Sequence, residues 1–389
     1  MLMFSSSAEA LIVLQQGSST FDTQYDTNPL LREDKQSVRR YTITPRYQVA
    51  AVEDENRWYA NAALALQRSS DKRITQDRED PNVNIGWQRD SERGRFSIAA
   101  RYDKRSSRFS EFNQTGFVDV DGSAITKSLS ADWSRSLTER LGTSIGAQYT
   151  KTTYDTSRFS DSVTKSINAS LNYEFNERVS PFVQVAYTDF QSDDVINNNG
   201  LLINNGNNFF VNNNAINNVN NGGDNKSKSI SVGATILLSP LWTFTSSIGM
   251  NKVDSSNQNA NTVIRSSTGS GKIGSFSLDY KGERSSFRSE LSRSVSPSGI
   301  GGFVESDRFN LGYEYLLSER STIGGGYSIN KNKSDFSSES TQISAWYSKE
   351  LSEMWQMRVS AESRNQKNFN QSVSGNVVGL TFTYSTPEF

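Results

Sequence analysis

The feature that most constrains this sequence is a repeat with two alternating kinds of connection. Amphipathic stretches of about ten or more residues are joined alternately by a short turn and a long loop. The short turns look alike: Asp54-Glu55-Asn56-Arg57, Ser91-Glu92-Arg93-Gly94, Thr138-Glu139-Arg140-Leu141, Asn176-Glu177-Arg178-Val179, Ser239-Pro240-Leu241-Trp242, Gly282-Glu283-Arg284-Ser285, Ser318-Glu319-Arg320-Ser321 and Ser352-Glu353-Met354-Trp355. The long connections are rich in Ser, Asn, Asp and Gly, as in Ser69 to Asp80, Ser106 to Ala124 and Ile196 to Lys226. Eight short turns and nine long loops predict 18 strands, with both chain ends on the short-turn side. Short turns at one rim and long loops at the other are the pattern of a transmembrane antiparallel up-and-down β-barrel, an all-β fold in which the short turns are periplasmic and the long loops extracellular.

Within the stretches the periodicity is two. Trp58, Ala60, Ala62, Leu64 and Leu66 share one face of their strand, opposite Tyr59, Asn61 and Gln67. Ile167, Ala169, Leu171, Tyr173 and Phe175 oppose Asn168, Ser170, Asn172 and Glu174. Only half of each strand needs to be apolar in such a barrel. That reconciles 34% hydrophobic residues and a mean hydropathy of -0.62 with an aromatic share of 11%, too high for a disordered chain. No run of 18 apolar residues exists, so no transmembrane helix is expected.

The aromatics cluster at strand ends. Trp58, Trp133, Trp242, Trp355 and Tyr315 fall near the short turns, where a ring can sit half buried at the headgroup level. The inward parity is polar and carries both signs of charge. Arg46, Arg95, Arg101, Asp132, Glu174, Asp279, Arg288, Glu290, Glu314, Arg358 and Glu362 are the expected pore-lining charges. Arg288 with Glu290, and Arg358 with Glu362, lie on one strand face and could pair with neighbours. Tyr59 is the clearest inward aromatic, so an aromatic track for sugars is not expected.

Ile196 to Lys226 alternates Asn runs with small apolar groups. It reads either as a lid or lumenal constriction carried by Asn204, Asn205, Phe209, Phe210 and Asn213, or as a surface loop. Residues 1–10 read as the remnant of an export signal ending near Ser7-Ala8-Glu9-Ala10, or as a disordered N-terminus, with a single barrel over 11–389. The last strand places Val378, Leu380, Phe382 and Tyr384 on the outward face and ends in Pro387-Glu388-Phe389. This is similar to the C-terminal signal read by the barrel-assembly machinery.

The chain has no His and no Cys, and its net formal charge is -1. That excludes thiol chemistry, the usual catalytic triads and dyads of outer-membrane enzymes, and the commonest metal ligand. No enzyme activity, cofactor, metal or nucleic-acid partner is expected. The expected surroundings are outer-membrane lipid and lipopolysaccharide.

The segment Thr23-Gln24-Tyr25-Asp26-Thr27-Asn28-Pro29-Leu30-Leu31 resembles the opening of outer-membrane β-barrels encoded in exopolysaccharide biosynthesis loci, which begin with Tyr-Asp-x-Asn. The resemblance implies a channel in the bacterial outer membrane that exports a polysaccharide with a periplasmic partner. It assigns no binding residues. Two alternatives stand beside it: a general or substrate-specific diffusion porin for small solutes, and a surface-interaction barrel such as an adhesin or phage receptor.

Overall fold

The computed structural model describes residues 11–108, 122–156, 159–193, 223–255, 271–297, 303–333, 337–368 and 371–387. The strands of the first half are β1 (Ile12–Asp26), β2 (Val38–Glu53), β3 (Asn56–Ser69), β4 (Arg78–Ser91), β5 (Gly94–Ser106), β6 (Ser123–Ser136), β7 (Leu141–Tyr154), β8 (Ser162–Tyr173) and β9 (Val179–Ser192). Those of the second half are β10 (Gly223–Ser239), β11 (Trp242–Ser255), β12 (Gly271–Lys281), β13 (Ser285–Pro297), β14 (Phe303–Ser318), β15 (Ser321–Lys333), β16 (Ser338–Glu350), β17 (Trp355–Asn368) and β18 (Gln371–Ser385). Each pairs antiparallel with its sequence neighbours, and β1 pairs with both β2 and β18, so the 18-stranded sheet closes on itself without an edge. Closure gives every strand hydrogen-bonding neighbours on both sides, which is what a membrane interior requires.

The strand number, the eight short turns and the side on which each strand begins agree with the sequence. The long-loop boundaries move. β10 begins at Gly223 and so includes residues assigned to the Asn-rich loop, and β4 and β6 begin at Arg78 and Ser123. Ser, Asn and Lys near a strand end extend the ladder as readily as they enter a loop when the partner strand continues. The connections at that rim are also not uniformly long: β17 ends at Asn368 and β18 begins at Gln371.

Register fixes which side chains face out. Phe21 pairs with both Ile43 and Phe382, Val185 with Ile230, Ile230 with Met250, and Leu291 with Phe309. These rows stay open to the surroundings: Ile248 is 61% exposed and Met250 68%. A soluble protein rarely leaves so continuous an apolar belt uncovered. Strands of 11 to 17 residues equal or exceed the 9–11 needed to cross a bilayer, so most project beyond it. Among the described residues no helix is long and apolar enough to cross a membrane.

The buried apolar cluster is small and lies at the long-loop rim. Phe190 of β9 meets Phe303 of β14 edge to face at 5.9 Å, with Val253 of β11 and Val295 of β13 packed against them. β9 and β14 are not sheet neighbours, so this contact clasps separate parts of the mouth together.

Candidate functional site

Eighteen strands at about 4.8 Å spacing and about 40° tilt give a backbone radius of roughly 18 Å, enough for side chains and an aqueous channel. The candidate site is therefore the lumen face. Arg46, Arg95, Arg101, Asp132, Asp279, Arg288, Glu290, Glu314, Arg358 and Glu362 all occupy the parity opposite the exposed apolar rows. Glu174 does not. β8 ends at Tyr173, and Glu174 lies in the short turn, its N–H donated to the Arg140 carbonyl at 2.7 Å.

The lumen wall divides into two kinds of surface. From β7 through β11 every inward position is uncharged: Ser, Thr, Asn, Gln and Gly with a few apolar residues. Hydroxyls pair across strands there, as Ser144 with Ser170 at 2.7 Å and Thr235 with Thr245 at 3.3 Å. The inward charges sit on the remaining strands, and several of them brace one another. Arg78 reaches Asp80 at 2.8 Å, Arg95 reaches Asp90 at 2.5 Å, and Arg288 reaches Glu290 at 3.5 Å and Asp279 at 3.7 Å. Arg288 thus pairs both along its own strand and across to β12.

Arg358 and Glu362 take separate partners. Glu362 is taken by Arg364 at 3.4 Å, while the Arg358 guanidinium lies over the Trp346 ring, 4.1 Å from its centroid. Trp346 faces the lumen because Tyr347, its neighbour, takes the outward row with Ile323 and Val359. A Cβ at Gly324, directly opposite, would fall inside the indole, so the glycine makes the room. Tyr59 over Gly86 and Phe182 over Gly233 repeat the arrangement. Sequence parity found Tyr59 but missed Trp346 and Phe182. The signal was available as a glycine facing each ring across the strand pair.

Trp346, Arg358, Arg364, Arg40, Gln24 and Glu362 line one recess in the wall between β15 and β2. Arg40 and Arg364 are locked into it by Asp26, which is fully buried. Arg364 Nη2 reaches Asp26 Oδ2 at 2.6 Å and Arg40 Nη2 reaches it at 3.4 Å, also donating to Gln24 at 2.8 Å. Three guanidiniums against the carboxylates of Asp26 and Glu362 leave one net positive charge. Arg358 carries it openly, with no ion-pair partner among the described residues.

Above this recess the segment after β1 folds inward. Asn28 accepts the Arg32 N–H at 3.0 Å and donates to the Ser374 carbonyl at 3.0 Å. Leu31, buried and at a φ of 46°, packs over Gly375, where a side chain would collide with Asn28. A leucine in the left-handed region persists only where its surroundings hold it. The Tyr25-Asp26-Thr27-Asn28 segment is thus a structural lock at the mouth.

On the outer face Trp58, Trp133, Trp242, Trp355 and Tyr315 all point outward near the short turns. Trp242 packs on Tyr280 at 4.8 Å and Trp355 on Tyr384 at 5.1 Å. Val378, Leu380, Phe382 and Tyr384 face outward as expected. Asn204, Asn205, Phe209, Phe210 and Asn213 lie outside the described residues, as do residues 1–10 and Phe389.

No protein-family model matches this sequence, and no curated protein does. Solved structures with the same barrel are found. Pseudomonas aeruginosa OpdL superposes with a TM-score of 0.51 at 9% identity, over 97% of this chain and 99% of that one. P. aeruginosa OpdK with vanillate gives 0.50 at 9% identity, over 96% and 99%. At that identity the likeness is one of fold: a closed outer-membrane-type barrel of 18 strands.

Proposed function

We propose that this barrel is an outer-membrane diffusion channel for small polar solutes, with a preference for anions set at the Trp346–Arg358 recess. The observation that carries the reading is the divided lumen. One wall is neutral and hydroxyl-rich over five strands, and the facing recess presents an unpaired guanidinium on an aromatic plane. A solute with a flat apolar body and a carboxylate finds a stacking surface and a charge there, and hydroxyls opposite. One of the structures of like fold holds vanillate, a molecule of that kind. For this chain the reading stands on Trp346 and Arg358.

The polysaccharide-export reading rests on Tyr25 to Asn28, and these residues are engaged within the fold. Asp26 is buried between two arginines and Asn28 is bonded to backbone, which leaves neither to guide a polymer. The test is reconstitution of the full chain in planar bilayers and in liposomes. Discrete conductance steps, and swelling with small carboxylates faster than with neutral sugars of equal size, are expected. A barrel that conducts nothing, or that passes long oligosaccharides as fast as small solutes, would overturn the reading.

A further inference from the structure

At the long-loop rim the outward cations of the barrel are treated in two ways. Along β13 to β16 they are matched with acids. Arg293 reaches Asp307 at 2.5 Å, Lys333 reaches Asp307 at 2.9 Å and Glu305 at 3.1 Å, and Lys331 reaches Glu339 at 3.1 Å. Along β5 to β8 they are not. Lys104, Lys127, Lys151 and Lys165 stand on four adjacent strands, each within five residues of the strand's long-loop end and each on the outward parity. None forms an ion pair among the described residues, although Asp189 stands opposite Lys165 in register.

Register places Lys127 directly opposite Lys151. Like charges facing across an antiparallel pair repel and weaken it. Between them runs an outward groove lined by Tyr102, Ile125 and Thr153 as well as the two lysines, with the Lys127 ammonium 6.0 Å from the Tyr102 ring centroid. Toward the membrane on the same strands the outward face turns apolar at Leu129, which is widely exposed. An ammonium pair above an aromatic, above aliphatic side chains, matches an amphiphile with an anionic head, a sugar-like body and acyl chains.

We propose that this groove binds a phosphate of a phosphorylated glycolipid in the outer leaflet. The phosphate sits between Lys127 and Lys151, the sugar lies on Tyr102, and the acyl chains run down over Leu129. A phosphate there turns the Lys127–Lys151 repulsion into two charge-assisted contacts. The site belongs to the lipid-facing surface, and its occupancy is separate from whatever passes through the lumen.

The test uses the full-length barrel in detergent, titrated with diphosphorylated lipid A, with dephosphorylated lipid A and with inorganic phosphate, and read by native mass spectrometry and thermal unfolding. Wild type is expected to retain diphosphorylated lipid A about tenfold more tightly than a Lys127→Gln/Lys151→Gln double variant, the loss of about 1.4 kcal/mol. The double variant is expected to melt higher than wild type without lipid and lower than wild type with it. Lys331→Gln, on the matched side, should bind as wild type does, and Lys127→Arg/Lys151→Arg should retain the lipid. Equal retention of phosphorylated and dephosphorylated lipid by wild type needs no variant to interpret and would overturn the proposal. An equal stabilisation by inorganic phosphate alone, or unchanged binding in the double variant, would also overturn it.

Discussion

The Arg364 guanidinium reaches the Asp26 carboxylate at 2.6 Å although 338 residues separate them in sequence. The contact crosses β18, linking β17 to β1 on the lumen side of the barrel's closing seam. Arg40 of β2 meets the same carboxylate, so β17, β1 and β2 are tied through one fully buried group. Breaking a buried pair from one side leaves uncompensated charge, at a cost of about 3–5 kcal/mol. Asp26→Ala is therefore expected to lower unfolding stability in detergent by that amount, measured by urea titration. It should also loosen the segment after β1, because the Asn28 N–H loses the carboxylate that accepts it. An Asp26→Ala barrel as stable as wild type would contradict this role.

What the sequence disclosed and what it concealed divide along the range of the interactions. Period two is a local property, so the outward rows at Trp58, Ile167 and Val378 were readable residue by residue, and counting turns gave the strand number. Asp26 reads as part of a terminal motif because Arg364 lies far off in sequence and meets it only when β1 closes on β18. Arg358 had an acid four residues away and a tryptophan twelve residues back; only the register of β16 on β17 shows that the tryptophan is the nearer group. The uncharged wall from β7 to β11 was present in the sequence, but it takes meaning only once those strands are neighbours around a lumen.

Arg358 should set ion preference. One unpaired charge about 8 Å from a passing ion in water favours an anion and opposes a cation by about 0.5 kcal/mol each, a factor of roughly six in relative permeability before screening. Arg358→Ala is expected to lower the anion-to-cation permeability ratio by about that factor in reversal-potential measurements. The effect should shrink as salt rises, since screening shortens its reach. Gln148→Ala, on the uncharged wall, should leave the ratio unchanged. A selectivity indifferent to Arg358 would move the selective element away from this recess.

The glycine facing Trp346 should be nearly irreplaceable. A methyl at Gly324 would overlap the indole, and overpacking of this kind costs typically about 1–3 kcal/mol. Gly324→Ala is expected to destabilise the barrel within that range and to displace Trp346 from Arg358, seen as a shift in tryptophan fluorescence. Gly312 has nothing within reach of an added methyl, so Gly312→Ala serves as the matched control and should fold as wild type.

Parity itself can be tested with two adjacent residues of β11. Ile248 lies in the middle of the strand on the outward row with Val232, and its neighbour Ser247 faces the lumen, where its hydroxyl pairs with Ser275 at 2.8 Å. A lysine at the bilayer midplane costs about 2–4 kcal/mol on the lipid side, because the ammonium leaves water for hydrocarbon. On the lumen side the same ammonium stays hydrated and gives up only one hydroxyl contact. Ile248→Lys is therefore expected to fold poorly into lipid vesicles and to lose about 2–4 kcal/mol of stability. Ser247→Lys should fold as wild type and raise anion preference by placing a charge on the neutral wall. Equal penalties at the two positions would mean that β11 does not separate lipid from water.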